Sequence, residues 1–309
     1  MIGVIGSNGF IGRSIVDRLV DQALPLRAYL REIPTALQPG VSYTRYSLND
    51  SFEPTNFSEI KTLVLAASAS RPNSSGNTPL REFAQNVTPQ LQLLEQLKAT
   101  NVQHVIYLSS GGAIYGDRTS AAPISENDAR VPSDAYGFGK LCIEAALPLV
   151  WQGDGRRFSI IRPSNPIGKH QLASVGTHGL VTTVLHHLRS DLPIVVQGDG
   201  SAIRDYFAAT DLAELILMMI NSQGHNPVVN ASSGVGLSIL EVIDRCAEYL
   251  GVRADVRLHP SVQPAVQFNV LCNQRAADLF GWRPKRSLTD IMAELNTALD
   301  LRDRAEGGA

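Results

Sequence analysis

The chain has few cysteines and no surplus of either charge. Cys142, Cys246 and Cys272 are its only cysteines among 309 residues, and they stand far apart. None has the close spacing of a metal site or a redox motif, so neither a metal centre nor a disulfide framework is read from them. They read as small buried apolar residues in a reducing cytoplasm. Lys and Arg number 27 against 29 Asp and Glu, a formal charge of −2. That balance gives no electrostatic footprint for nucleic acid or for an anionic membrane surface. No apolar run approaches the ~20 residues that cross a bilayer. No basic segment precedes an apolar one at the start, so the opening residues do not read as a secretory leader. No internal repeat is present. With 44% hydrophobic and 18% charged residues, the composition is that of a globular protein of one large or two modest domains.

What is present begins at once. Ile2-Gly3-Val4-Ile5 reads as a short buried strand and runs into Gly6-Ser7-Asn8-Gly9-Phe10-Ile11-Gly12. From Arg13 to Asp21 the apolar residues Ile15, Val16, Leu19 and Val20 take helical spacing. Strand, glycine loop and helix is how an open α/β sheet builds a phosphate site. Glycines let backbone approach a pyrophosphate, and a helix N-terminus supplies free N–H groups and partial positive charge. Two residues, not one, separate the first two glycines, which is the spacing of short-chain dehydrogenase/reductase-like proteins. Gly6, Asn8, Gly9, Phe10, Ile11 and Gly12 are therefore candidate dinucleotide contacts.

Leu26–Leu30 reads as a second strand, ending in Arg31-Glu32. An acidic residue often stands at that strand end and bonds the adenine ribose. Arg31 suits a 2′-phosphate, which favours NADP; alternatively it stacks on adenine or is a solvated charge, and Glu32 reaches the ribose. Further strands are expected at 41–46, 61–67, 104–108 and 157–162. Ala66 and Ala67 are small where backbone passes close to a ligand, or where helix packs on sheet. A helix over 79–100 carries Leu80, Phe83, Ala84, Val87, Leu91, Leu94 and Leu97 as a stripe for the core or a dimer interface. Loops are expected over 68–78 and 117–134. Beyond 162, helices are expected at 178–190, 210–221 (capped by Thr210), 238–250, 273–280 and 287–299. Short strands fall at 192–196 and near Val228 and Val256. The strand–helix alternation predicts an α/β fold, a Rossmann-type doubly wound parallel sheet, with a smaller C-terminal α/β substrate lobe. The expected division is 1–162, 163–301 with some chain returning to the first unit, and a flexible tail 302–309.

Tyr136 and Lys140 stand four apart and share one face of a helix opening at about Tyr136. A phenol titrates near 10, too high for a base at neutral pH. A neighbouring ammonium and an oxidised nicotinamide favour the phenolate. Tyr136 would then take a proton from a substrate hydroxyl as hydride leaves for the cofactor, with Lys140 also holding the nicotinamide ribose.

With these residues in hand, the chain resembles the extended short-chain dehydrogenase/reductases, in the NAD-dependent epimerase/dehydratase group typified by UDP-glucose 4-epimerase. The resemblance covers nearly the whole chain. It rests on Gly6-x-x-Gly9-x-x-Gly12, Asn86-Val87, Ser109-Ser110 with Tyr115-Gly116, Tyr136-x-x-x-Lys140, Arg162-Pro163-Ser164-Asn165, Gly198-Asp199-Gly200 leading to Arg204-Asp205-Tyr206, and Gly281-Trp282-x-Pro284. It implies NAD or NADP as cofactor, with Asn86, Ser109 and Pro163 joining the contacts named above. It implies a UDP-sugar substrate held by Gly111, Asn165, Leu180, Val195, Arg204 and Tyr206, with Arg204 on the diphosphate. An arginine fork matches phosphate oxygens, though Arg204 is also able to pair locally with Asp205. A homodimer through the 79–100 and 136–151 helices is implied too.

Three departures from the group stand out. Gly111 replaces the usual Ser or Thr, which leaves Ser110 as the nearest hydroxyl for catalysis. Gly112 and Ala113 replace the Asp-Glu pair of dehydratases, so water elimination is not expected. Val262, Gln263 and Pro264 stand where a second arginine is usual. The first functional reading is a sugar-nucleotide 4-epimerase working by transient C4 oxidation and hydride return, with Gly111 and Gly112 leaving room for the sugar to turn. The second is an NADPH-dependent 4-keto-sugar-nucleotide reductase, favoured by Arg31. The third is a non-catalytic dinucleotide sensor, opposed by the retention of Tyr136 and Lys140.

Overall fold

The computed structural model describes all residues except 73–77, 118–120, 152, 154, 174–178, 225, 261–265 and 308–309. Six strands run through the first half: β1 (Ile2–Ile5), β2 (Leu26–Leu30), β3 (Val41–Arg45), β4 (Thr62–Leu65), β5 (His104–Leu108) and β6 (Arg157–Pro163). Beyond them come β7 (Asn165–Ile167), β8 (Ile194–Gln197), β9 (Ile203–Ala208), β10 (Val228–Ala231), β11 (Gly236–Ser238), β12 (Val256–His259) and β13 (Phe268–Asn269). Seven strands form one sheet in the order β10-β6-β5-β4-β1-β2-β3, and every pairing within it is parallel. The order reverses between β1 and β4, and ligands of open α/β sheets sit at such a switch point.

The strands are short apolar runs because both faces are covered. On one face Ile2, Val4, Val64, Ile106 and Ile161 pack with the helices Phe10–Asp21 and Ala209–Asn221. On the other, Ile5, Leu63, Leu65, Val105 and Ile160 pack with the helices Thr88–Leu97 and Ala135–Trp151. Each fully buried aliphatic side chain contributes roughly 1.5–3 kcal/mol. A third apolar cluster lies in the C-terminal lobe, where Val184, Leu185, Ile194, Ile243 and Leu295 meet. There β9 pairs with β7, β11 and β13, while β8 pairs with β12.

Several sequence expectations shift. Thr210 does not cap its helix: the helix Ala209–Asn221 starts straight from β9, with Ala208 at the cap position and no side-chain cap bond. The helix Ile239–Leu250 does carry a cap, since the Ser238 hydroxyl accepts from the Glu241 N–H and the Glu241 carboxylate from the Ser238 N–H. The stretch from 79 is helical but not uniform. It runs as Pro79–Glu82, a wider π-turn Phe83–Val87, then Thr88–Leu97. The Thr88 N–H reaches back to the Phe83 carbonyl, and Pro89 next to it has no N–H to give. The wider turn rotates the stripe: Val87, Leu94 and Leu97 are buried, while Leu80 is 85% and Phe83 37% exposed. The last helix, Leu288–Gly307, extends through most of the expected flexible tail. Arg189 pairs with Asp300 at 2.7 Å and Asp303 at 2.8 Å, which holds its final turns.

Candidate active site

The glycine loop is dictated by space. Gly6 has φ of +85°, and a Cβ there would stand 2.7 Å from the Ala67 nitrogen. A Cβ on Gly12 would stand 2.0 Å from the Gly6 carbonyl oxygen. Both positions admit only glycine, so the helix Phe10–Asp21 begins hard against the loop and the loop against the end of β4. The Gly9 N–H donates to the Gly6 carbonyl at 2.9 Å. The helix has no side-chain cap and no acidic residue in its first turn. Its leading N–H groups thus present partial positive charge beside bare backbone, a cradle that fits a pyrophosphate. Asn8 accepts from the Arg13 guanidinium, which adds a cation at the same end. Asn86 is buried and holds the loop after β4: its Oδ1 accepts from the Ala69 N–H at 2.7 Å and its amide donates to the Ser70 hydroxyl at 3.0 Å.

A cavity of about 460 Å³ opens at the ends of β2 and β3, lined by Arg31, Glu32, Ile33, Arg45, Ser47 and Asp50. Register brings the two arginines together, because Leu30 pairs with Arg45 across the strands. Sequence reading missed Arg45, since only the pairing places it next to Arg31. Neither arginine pairs with a carboxylate among the described residues.

The reacting groups converge at the end of β5. The Lys140 ammonium donates to the Leu108 carbonyl at 2.8 Å and lies 5.0 Å from the Tyr107 ring centroid and 5.7 Å from that of Tyr136. Burial pushes Lys140 down to about 8, opposed by the Glu82 and Glu144 carboxylates. Burial pushes Tyr136 up to about 12, opposed by a hydrogen bond with the Ser110 hydroxyl. Ser110 is buried and stands ahead of the short turn Gly111–Ile114, without a side-chain cap bond. It is within hydrogen-bond reach of Tyr136. The Ser109 hydroxyl is buried, with no hydrogen-bond partner among the described residues. Glu82, which sequence reading did not single out, is 1% exposed beside this pair.

Gly111 does not leave open room. A Cβ on it would stand 2.3 Å from the Leu271 side chain and 3.1 Å from the Arg162 carbonyl oxygen, so this glycine is a packing requirement. At Gly112 the nearest neighbour to a Cβ is the Ser164 carbonyl oxygen at 3.6 Å. Behind them Arg162 is buried and bonds Glu144 at 2.6 Å, the Tyr115 hydroxyl at 2.9 Å and the Glu126 carbonyl at 3.1 Å. This network ties Glu126 and the Tyr136 helix to the end of β6.

On the lobe side, the Asn165 amide donates to the Asp205 carbonyl at 2.8 Å. Arg204 does not pair with Asp205. Its guanidinium bonds the Ile203 and Val266 carbonyls, and burial pulls its pKa down. The Asp205 carboxylate instead accepts from the Leu271 N–H at 2.7 Å. Tyr206 and Leu180 are partly buried against the lobe core, and Val195 is 51% exposed on β8. Residues 262–264 lie outside the described residues.

A parallel α/β sheet with a glycine cradle at its switch point and a Tyr–Lys–Ser cluster beside it is a Rossmann-type dinucleotide-binding fold. Residues 2–232 match the NAD dependent epimerase/dehydratase family, and the chain belongs to that family. It is similar to the dTDP-4-dehydro-6-deoxyglucose reductase of Escherichia coli, 25% identical over 303 residues, covering 94% of this chain and 95% of that protein. It is equally similar to a putative UDP-glucose 4-epimerase of Methanocaldococcus jannaschii, 25% identical over 296 residues, with 94% and 95% covered. The fold matches that of a Thermotoga maritima UDP-glucose 4-epimerase solved with UDP-glucose, with a TM-score of 0.89 and 24% identity over 97% of this chain and 99% of that one. It also matches a Thermus thermophilus UDP-glucose 4-epimerase solved with NAD, with a TM-score of 0.84 and 24% identity over 96% and 98%. Among the described residues no helix is long and apolar enough to cross a membrane.

Proposed function

We propose that the protein is a sugar-nucleotide 4-epimerase that uses NAD, with a UDP-sugar as substrate. The observation that carries this reading is the convergence of Tyr136, Ser110 and Lys140 at the end of β5. The cradle of Gly6, Gly9 and Gly12 would hold the pyrophosphate of NAD, and the bound cofactor would supply a reversible acceptor for the C4 hydride of the sugar beside Tyr136 and Lys140. Tyr136 takes the proton of the C4 hydroxyl and gives it back. Ser110 holds the same oxygen through its bond to Tyr136, in the role that Gly111 has no side chain to fill. Lys140 supplies the positive charge that lowers the cost of the Tyr136 phenolate. Arg204 faces the diphosphate, since its only hydrogen bonds among the described residues go to neutral carbonyls and no carboxylate there forms an ion pair with it. The exposed Leu80, Phe83 and Phe138, the latter two with ring centroids 5.9 Å apart, support a homodimer through these two helices. Conversion of UDP-glucose to UDP-galactose by the purified protein, lost in Tyr136→Phe, tests the reading; absence of conversion with intact cofactor binding overturns it.

The cavity shared by Arg31 and Arg45 favours a second reading, a 4-keto-sugar-nucleotide reductase using NADPH. A 2′-phosphate would meet two guanidinium groups there. The likeness to the E. coli reductase supports it. Oxidation of NADPH by a nucleotide-linked 4-keto sugar, without epimerisation, would carry it.

A further inference from the structure

The carboxyl of Glu82 lies where a side chain on Gly139 would be. A Cβ on Gly139 would stand 2.5 Å from the Glu82 Cγ and 2.7 Å from its Oε1. Gly139 immediately precedes Lys140 and sits within the Tyr136–Lys140 turn. Any other residue at 139 would expel the carboxyl from the helix surface, so this glycine and this acid fit one another. Glu82 closes the short helix Pro79–Glu82, between exposed Arg81 and Phe83, yet is itself 1% exposed. A carboxylate is costly to bury, and its place beside Lys140 calls for a reason.

The surroundings of Lys140 supply one. From strand β5 it meets the Tyr107 ring and the Leu108 carbonyl. From its own helix it meets Tyr136 and, one turn on, Glu144. From the 79–82 helix the Glu82 carboxylate, packed on this helix at Gly139, acts through its charge on Lys140 and also on Tyr136, whose pKa it raises. Glu144 is held at 2.6 Å by the buried Arg162, so its charge is already matched. Of the two carboxylates, Glu82 opposes the loss of the Lys140 proton more strongly than Glu144 does.

We propose that Glu82 is a positioning residue that keeps the Lys140 ammonium protonated in its buried site, and that position 139 is glycine so that the carboxyl can lie there. The proposal rests on reading Tyr136 and Lys140 as the reacting pair. An uncharged Lys140 can neither favour the Tyr136 phenolate nor act as a cation toward the cofactor. Without Glu82, burial would strip the proton within the neutral pH range.

Lys61, Lys98, Lys140, Lys169 and Lys285 are the only lysines in the chain. Selective 13Cε-lysine labelling of the full chain therefore gives a short set of resonances, with Lys140→Arg assigning one and the other four serving as references. In the wild type, Lys140 is expected to titrate at about 8. In Glu82→Gln, which keeps the side chain's shape, its midpoint falls by about one unit, a tenfold change in the protonation constant. A role in packing alone leaves the midpoint where it was, and that result overturns the proposal. If Glu82→Gln does not fold, Gly139→Ala displaces the same carboxyl; the same fall is expected, and an unmoved midpoint overturns the proposal equally. Turnover retained by Tyr136→Phe would sink the catalytic reading, whereas the lysine midpoint reports on Glu82 alone, so the two failures are distinct.

Discussion

The Lys140 ammonium donates to the carbonyl of Leu108, and through that 2.8 Å bond the helix carrying Tyr136 is fastened to the end of β5. The same strand end leads into Ser109 and Ser110. The hydroxyl that bonds Tyr136 and the cation that sits beside it are thus positioned by one strand, which makes the cluster a single unit.

Tyr136→Phe removes only the phenolic oxygen. Turnover is expected to fall by ~10²- to 10⁴-fold, with dinucleotide affinity kept. Ser110→Ala is expected to cut kcat about tenfold and leave KM nearly unchanged, because its bond matters most as charge develops on the phenolate. Steady-state rates with UDP-glucose check both. A Ser110→Ala enzyme that loses affinity but not kcat would place Ser110 in binding alone.

Cofactor identity follows from what the chain carries. Denaturing the purified protein is expected to release NAD at close to one per chain, since an epimerase recycles it in place. An empty chain that prefers NADPH supports the reductase. In that case Arg31→Ala and Arg45→Ala each weaken NADPH by about tenfold or more and leave NADH unaffected, as followed by nicotinamide fluorescence.

Gly12→Ala should be severe for its size. The added Cβ meets the Gly6 carbonyl and the Ser7 Cα, which are backbone atoms and cannot swing aside. A loss of about 1–3 kcal/mol or more is expected, together with loss of dinucleotide binding. Gly9→Ala meets the Gly6 carbonyl oxygen only at 3.2 Å and should be milder. Thermal melts with and without NAD distinguish the two; equal melting points would refute the packing argument.

Asp205 gives stability a pH dependence of definite sign. Burial raises its carboxyl from the ordinary 3.8 to about 7. Between these values the folded chain holds a proton that the unfolded chain has released, so this group's contribution to stability falls as pH rises from about 4 to about 7. Asp205→Asn removes that slope. Relative to wild type, the variant should gain stability over that window in urea unfolding at stepped pH. A constant difference across the window would show that Asp205 is ionised in the fold.

The glycine loop, the alternating elements to Arg162 and the Tyr136–Lys140 pair were legible because each is local: spacing along a few residues settles it. What depends on distant chain was not. Arg45 joins Arg31 only through the β2–β3 register. Gly111 looked like free space, but Leu271, 160 positions on, fills it. Glu82 lies outside the apolar stripe and drew no notice, yet in the fold Leu80 and Phe83 are exposed next to the π-turn and the acid is buried. Arg204 and Asp205 are neighbours in sequence, yet alternate sides of β9 send them to different partners.

The seventh strand of the main sheet, Val228–Ala231, is made only after the chain has passed through part of the lobe. Trp282 arrives later still, and its indole is buried in the core beneath β1 while donating to the Asp211 carbonyl at 2.9 Å. On the ribosome, then, the cradle's glycines emerge first but the core beneath them stays open until nearly the whole chain has been synthesised. A nascent chain halted before Trp282 would already carry the first helix and the helix Ala209–Asn221 that packs on it, but it would lack the indole that completes this core and bonds the Asp211 carbonyl.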